Sequence, residues 1–136
     1  MAVRIRYSLK VQISSDATVE DKDLGNASYE VVSDEYGEGG LREFVLAAAS
    51  TDVEVALGNI ASASFLAIRT RARDPLEDPV EITVKRNGVG NEELPITPLS
   101  ETAEGHLLLS TSGLTSLHAS NAGAVDMKLA VALIGD

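Results

Sequence analysis

Three observations predict an all-β protein built as an antiparallel sandwich. From Val3 to Ser14 apolar and polar residues alternate without a break: Val3, Ile5, Tyr7, Leu9, Val11 and Ile13 against Arg4, Arg6, Ser8, Lys10, Gln12 and Ser14. Side chains on a strand point to opposite faces with a period of two, so this pattern specifies a strand with one buried and one wet face. The segment Val125 to Ile134 repeats it, with Val125, Met127, Leu129, Val131 and Leu133 on one side and Asp126 and Lys128 on the other. Between these two segments lie short apolar runs separated by Gly, Pro, Asn and Asp, and no pair of runs is joined by a convincing crossover helix.

The elements follow in order. Val3 to Ser14 is the first strand. An acidic stretch over 15–43 follows, containing Asp16, Glu20, Asp21, Asp23, Glu30, Asp34, Glu35 and Glu38. It reads as a long loop with one short edge strand at Tyr29 to Val32 and a flexible tip at Gly37, Gly39 and Gly40. Arg42 to Ala49 is alanine-rich, yet Phe44, Leu46 and Ala48 alternate, which favours a strand over a helix. Asp52 to Leu57 alternates through Val53, Val55 and Leu57, and Gly58-Asn59 turns the chain. Ser62 to Arg71 is the next strand, and Pro75 and Pro79 make the following segment a loop. Val80, Ile82 and Val84 lead into Asn87-Gly88, a hairpin signal, and then to a short strand at Leu94 to Ile96. A strand begins at Leu107 and ends near Ser112-Gly113; Leu114 to Leu117 is a brief strand or one helical turn, and Asn121 to Gly123 turns into the last strand. The tally is about eight strands. The predicted architecture is a single domain over 1–136, a sandwich of jelly-roll type with the first and last strands near the middle of its sheets.

At 136 residues the chain is long enough for one domain with a real core, and 44% hydrophobic residues make it globular. Much of that content is Ala, Val and Leu, with no Trp, which suits the gap between two packed sheets. A net charge of −10 argues against nucleic acid and anionic lipid as partners, because both would repel the chain. Arg69, Arg71 and Arg73 stand at alternate positions and so share one strand face, which is either a solvated surface or a contact for an acidic protein. Without cysteine there is no disulfide, zinc ribbon or thiol nucleophile. Charges at Arg4, Arg6 and Lys10 interrupt any signal-peptide apolar region, and no apolar run reaches the ~20 residues needed to span a bilayer. The expectation is a soluble cytosolic protein that is later assembled into something larger.

His106 and His118 are far apart, and the His-x-His pattern of a metal-binding barrel is missing. Asp21-Lys22-Asp23 opens like a calcium loop, but the places that need a third ligand, a glycine and a closing glutamate hold Gly25, Asn26 and Val32. A looser site from Asp16, Glu20, Asp21 and Asp23 stays open beside the plainer reading of a solvated acidic loop. No Gly-x-Ser-x-Gly elbow occurs, and Glu54, Glu81 and Asp126 fall on polar strand faces rather than facing one another. Gly37 to Gly40 lacks the Lys-Ser/Thr pair of a phosphate loop. Tyr29 and Tyr36 flank the acidic loop and could form a sugar platform. The expectation is that no residue is catalytic and that no cofactor or metal is required.

The C-terminal half carries a resemblance. His106-Leu-Leu-Leu-Ser, then Gly113-Leu-Thr-Ser-Leu-His-Ala-Ser-Asn121, then Val125-Asp-Met-Lys-Leu-Ala-Val-Ala-Leu133, together with Ser64-Phe-Leu-Ala-Ile-Arg69, is similar to small jelly-roll accessory proteins of tailed-phage virions. The resemblance covers roughly the last seventy residues plus that one strand. It implies a non-enzymatic virion protein, assembled in the host cytoplasm, that decorates and cements the capsid by binding the major capsid protein or other virion proteins as a homo-oligomer. A tail- or fibre-associated virion protein and a carbohydrate-binding module are the alternatives. The residues expected to touch a partner are Arg4, Arg6, Lys10, Asp21, Asp23, Tyr36, Arg69 and Arg71.

Overall fold

The computed structural model describes residues 3–13, 22–33, 38–87 and 92–135, with side-chain environments from residue 42 onward except Ser112. It contains ten strands and, among the described residues, no helix. The chain forms two compact units, Met1–Gly37 and Glu38–Asp136.

In the first unit β1 (Val3–Ile13) pairs antiparallel with β2 (Lys22–Ser33), with Tyr7 opposite Tyr29 and a bulge between Lys10 and Gln12. The first strand is therefore where the alternation puts it, but its partner is β2 in a two-stranded sheet, not a strand of the sandwich. Alternation specifies a half-buried strand and leaves the choice of neighbour open. The loop expected over 15–43 is corrected as well. The edge strand expected at Tyr29 to Val32 falls within β2, which is longer than expected and begins at Lys22, and Gly39 and Gly40, expected at a flexible tip, belong to β3 (Glu38–Leu46). Gly, Asn and Asp lower intrinsic strand preference, and pairing to a long neighbour overrides that preference. Gly39 and Gly40 stand opposite Ile134 and Leu133 of the last strand.

The second unit holds β3, β4 (Ser50–Glu54), β5 (Ala63–Ala72), β6 (Ile82–Arg86), β7 (Glu93–Ile96), β8 (Gly105–Leu114), β9 (Leu117–Asn121) and β10 (Met127–Gly135). They form two antiparallel sheets, ordered β3-β10-β5-β8 and β4-β9-β6-β7. The pairings nest: β3 with β10, β4 with β9, β5 with β8, and β6 with β7. The eight strands thus follow one long hairpin folded across two layers, and the β10–β5 and β9–β6 pairs complete the sheets. In these two sheets only β6 and β7 are sequence neighbours; Asn87 after β6 has φ 56, and the rest of the hairpin turn expected from Gly88 to Asn91 lies outside the described residues. The last strand lies in the middle of its sheet, as the alternation predicts.

One core joins the layers. Leu46, Leu66, Ile68, Met127, Leu129 and Val131 from the first sheet pack with Ile82, Val84, Ile96, Leu117 and Ala119 from the second. Burying a Leu or Ile side chain contributes about 1.5–3 kcal/mol, so this cluster dominates the stability of the sandwich. β9 escapes the sequence pattern although it is central to its sheet. It is short, and its inward positions include Ala119 and the fully buried Asn121. The Asn121 amide donates to the carbonyls of Leu46 (3.3 Å) and Val125 (2.8 Å) and its oxygen accepts from the Gly123 N–H (3.0 Å), which ties the β3 end to the β9–β10 turn. Val53, expected to be inward, is 37% exposed because β4 is an edge strand with a bulge at Asp52, where φ is 49. Val55 and Leu57 are buried as expected but follow the end of the strand.

Candidate partner-binding surface

Register decides which charges meet on the outer face of the first sheet. On β5 the side chains of Leu66, Ile68, Thr70 and Ala72 are buried, so Arg69 and Arg71 face outward and both are exposed. Lys128 of β10 stands opposite Arg71, and Ala130 stands between Arg69 on one side and Glu43 of β3 on the other. The result is a charged ladder across three strands. Lys128 Nζ lies 3.1 Å from Glu43 Oε2. That hydrogen bond, then the Lys128 charge itself, holds the Glu43 carboxyl below its ordinary range; desolvation opposes the shift, and the charges of Arg71 and Arg69 add to it.

Beside this ladder the outer face falls into a cleft of about 310 Å³. Arg71, Arg73 and Lys128 line it together with Glu77, Thr102 and Glu104. Arg73 is held by Asp126 at 3.6 Å, and Asp126 also accepts the Ala48 N–H at 2.9 Å. Among the described residues neither Arg69 nor Arg71 forms an ion pair. Two loops wall the cleft. The Asp74 carboxylate accepts the Leu76 N–H at 2.9 Å and turns the first loop, leaving Leu76 93% exposed. The second is closed by the Leu99–Glu104 bridge and leaves Leu99 60% exposed. Two guanidinium groups without an ion pair among the described residues thus stand beside loops that carry exposed leucines.

Of the residues expected to touch a partner, the structure brings Arg69 and Arg71 together on one exposed face. Arg4, Arg6 and Lys10 lie on β1 and Asp23 on β2; their side chains, and Asp21 and Tyr36 altogether, lie outside the described residues. So do Asp16 and Glu20 of the looser calcium site. Sequence reasoning missed Lys128, Glu43 and the two loop leucines. Lys128 was visible as the one charge in the last strand, but only register places it beside Arg71.

The two histidines sit on different sheets. His106 of β8 is 3.5 Å from Glu104, whereas His118 of β9 stands between the rungs of Glu54 and Lys85, its Nδ1 buried without a hydrogen-bond partner. Among the described residues no three His, Asp or Glu side chains converge in the manner of a metal site, and no helix is long and apolar enough to cross a membrane. Fold and surface together define an eight-stranded antiparallel sandwich with an exposed cationic face on an acidic chain. No protein family, curated protein or solved structure matches the chain.

Proposed function

We propose that the protein is a non-enzymatic structural component of a tailed-phage virion, a decoration or cement protein that binds and stabilises neighbouring capsid subunits. The observation that carries this reading is the corner where Arg71 lines a cleft whose walling loops carry exposed Leu76 and Leu99, with Arg69 on the same face and neither arginine in an ion pair among the described residues. Guanidinium groups and apolar side chains together are the composition of protein–protein contact surfaces, and a net charge of −10 makes such a corner the place where an acidic partner can approach. The strand orders β3-β10-β5-β8 and β4-β9-β6-β7 support a jelly roll, an architecture common among capsid proteins and also found in lectins and cupins. Fold alone does not assign function, so the surface bears the weight of the proposal.

The test adds purified protein to particles stripped of it and follows both binding and particle melting. The wild-type chain should bind and raise the melting temperature. Arg71→Glu, an exposed change that leaves the core intact, should weaken binding by roughly tenfold or more. No binding by the wild-type protein ends this reading. Glycan-array hits in its place would favour the carbohydrate-binding alternative.

A further inference from the structure

The four edge strands of the sandwich, β3, β8, β4 and β7, are not built alike. A strand at the edge of a sheet offers unpaired N–H and C=O groups to any passing strand, and proteins blunt such edges with charge, proline, bulges or short length. Three of the four edges carry these devices. β3 holds Glu38, Arg42 and Glu43; β4 has five residues, a bulge, Asp52 and Glu54; β7 has four residues, with Glu93 and Pro95. β8 carries none of them along its first six residues. Gly105 to Leu114 contains no Asp, Glu, Lys, Arg or Pro, and its second flank meets no strand among the described residues. Only after Ser110 does a bulge break the ladder, where Ser110 faces Phe65 but Leu114 faces Ala63, with Gly113 at φ 72.

We infer that the β8 edge is a pairing surface for a second copy of this chain, joined antiparallel about Leu108. In that register Leu108 meets Leu108 of the second copy, Leu107 meets Leu109, and His106 meets Ser110. Every rung sets apolar against apolar or polar against polar, with no like charges opposed. This matters because two molecules of net charge −10 repel, and a neutral edge is where they approach most closely at least cost. The inward side chains give the pairing its energy. Leu107 and Leu109 are only partly buried, although they pack on the core; pairing covers them and joins the two cores across the new ladder. On the outer side Leu108 is 51% exposed and meets its symmetry mate. The straight stretch Gly105 to Ser110 matches an ordinary strand in length, and a two-fold pairing uses the same edge in both copies, so the assembly closes as a dimer instead of growing into a fibre. Gly105 fits the same design, since a Cβ there would lie 2.7 Å from both Thr70 Oγ1 and Ile96 Cγ2, and its absence lets β8 lie close against the core.

This inference stands apart from the virion reading: sedimentation in free solution tests one, particle binding the other. The full chain should show a concentration-dependent monomer–dimer equilibrium. Leu108→Lys sets two ammonium groups face to face on an exposed position and should raise the dimer dissociation constant by about tenfold or more, with the far-ultraviolet dichroism unchanged. Leu108→Thr, which keeps strand preference and adds no charge, should keep the dimer. Amide exchange of the wild-type chain gives an independent measure, because the outward-pointing N–H groups of residues 105–110 should gain protection as concentration rises. A wild-type chain that stays monomeric at high micromolar concentration overturns the inference. So does a Leu108→Lys dimer as tight as the wild type, or β8 amides whose exchange ignores concentration.

Discussion

The two sheets share a core yet treat their outer charges in opposite ways. On β4-β9-β6-β7, Lys85 lies between Asp52 at 3.2 Å and Glu93 at 3.6 Å, so the charge is answered within the sheet. The Asp52 hydrogen bond is the chief cause of an ammonium pKa above its ordinary value; desolvation works against it, and the Asp52 and Glu93 charges assist. On β3-β10-β5-β8, Lys128 and Arg73 are answered by Glu43 and Asp126, but Arg69 and Arg71 form no ion pair among the described residues. Strand length follows the same division. The first sheet is built from strands of nine and ten residues and the second from strands of four and five. The short sheet answers Lys85 from both flanks, whereas the long sheet leaves Arg69 and Arg71 on its outer face without an ion pair among the described residues and ends on the uncharged β8. Charges satisfied internally serve the fold, and those left over are available to another molecule.

The sharpest way to break this comparison is to show that the sheets do not share a core. Leu129→Ala on the long sheet and Ile82→Ala on the short one should each cost about 2–5 kcal/mol, because both side chains are fully buried in one cluster. Urea denaturation should show the sandwich losing stability in a single transition in either variant. Separate transitions for the two layers would contradict a common core.

A smaller loss is expected from Asn121→Ala. It strands the Leu46 and Val125 carbonyls and the Gly123 N–H, and it should cost about 1–3 kcal/mol by the same measurement. A neutral result would mean that the turn into β10 is held by other contacts.

The smallest effects are those of pH, and they differ in sign between the sheets. Glu43 has a lowered folded pKa, so the stability it contributes is present above the ordinary carboxylate range and is lost as pH falls through the folded value. Lys85 has a raised folded pKa, so its contribution is full below the ordinary lysine value and is lost as pH rises through the folded one. Glu43→Gln should therefore narrow the acid-side fall in stability, and Asp52→Asn the alkaline-side fall, as read from denaturation midpoints across pH. The Glu43 and Asp52 carboxylates are both exposed, so each change is small. An alkaline effect from Glu43→Gln would contradict the assignment.

Much of the fold was legible because strands have a period of two. The buried positions Leu66 and Ile68, the outward Arg69 and Arg71, the Asn87 turn and the central last strand all follow from alternation and turn chemistry. β9 was not legible, since five residues with Ala119 and Asn121 inward give a weak apolar signal. Only the Tyr29 to Val32 part of β2 was legible, because Gly25, Asn26 and the acidic residues before it are assigned to a loop by local preference. Half of the candidate surface was readable as an arginine stripe. The other half, Lys128 beside Arg71 and two leucines on adjoining loops, was not, because those residues are distant in sequence.

What the sequence by itself determined is which side chains of strands such as β5, β6 and β10 face the core, because burial of alternate residues is a local property of extended backbone. Which strands become neighbours was decided only in three dimensions: β1 with β2, β10 between β3 and β5, β8 left at an edge. Pairing partners are selected by the whole set of backbone hydrogen bonds and by one shared apolar volume, and neither quantity belongs to any single segment of the chain.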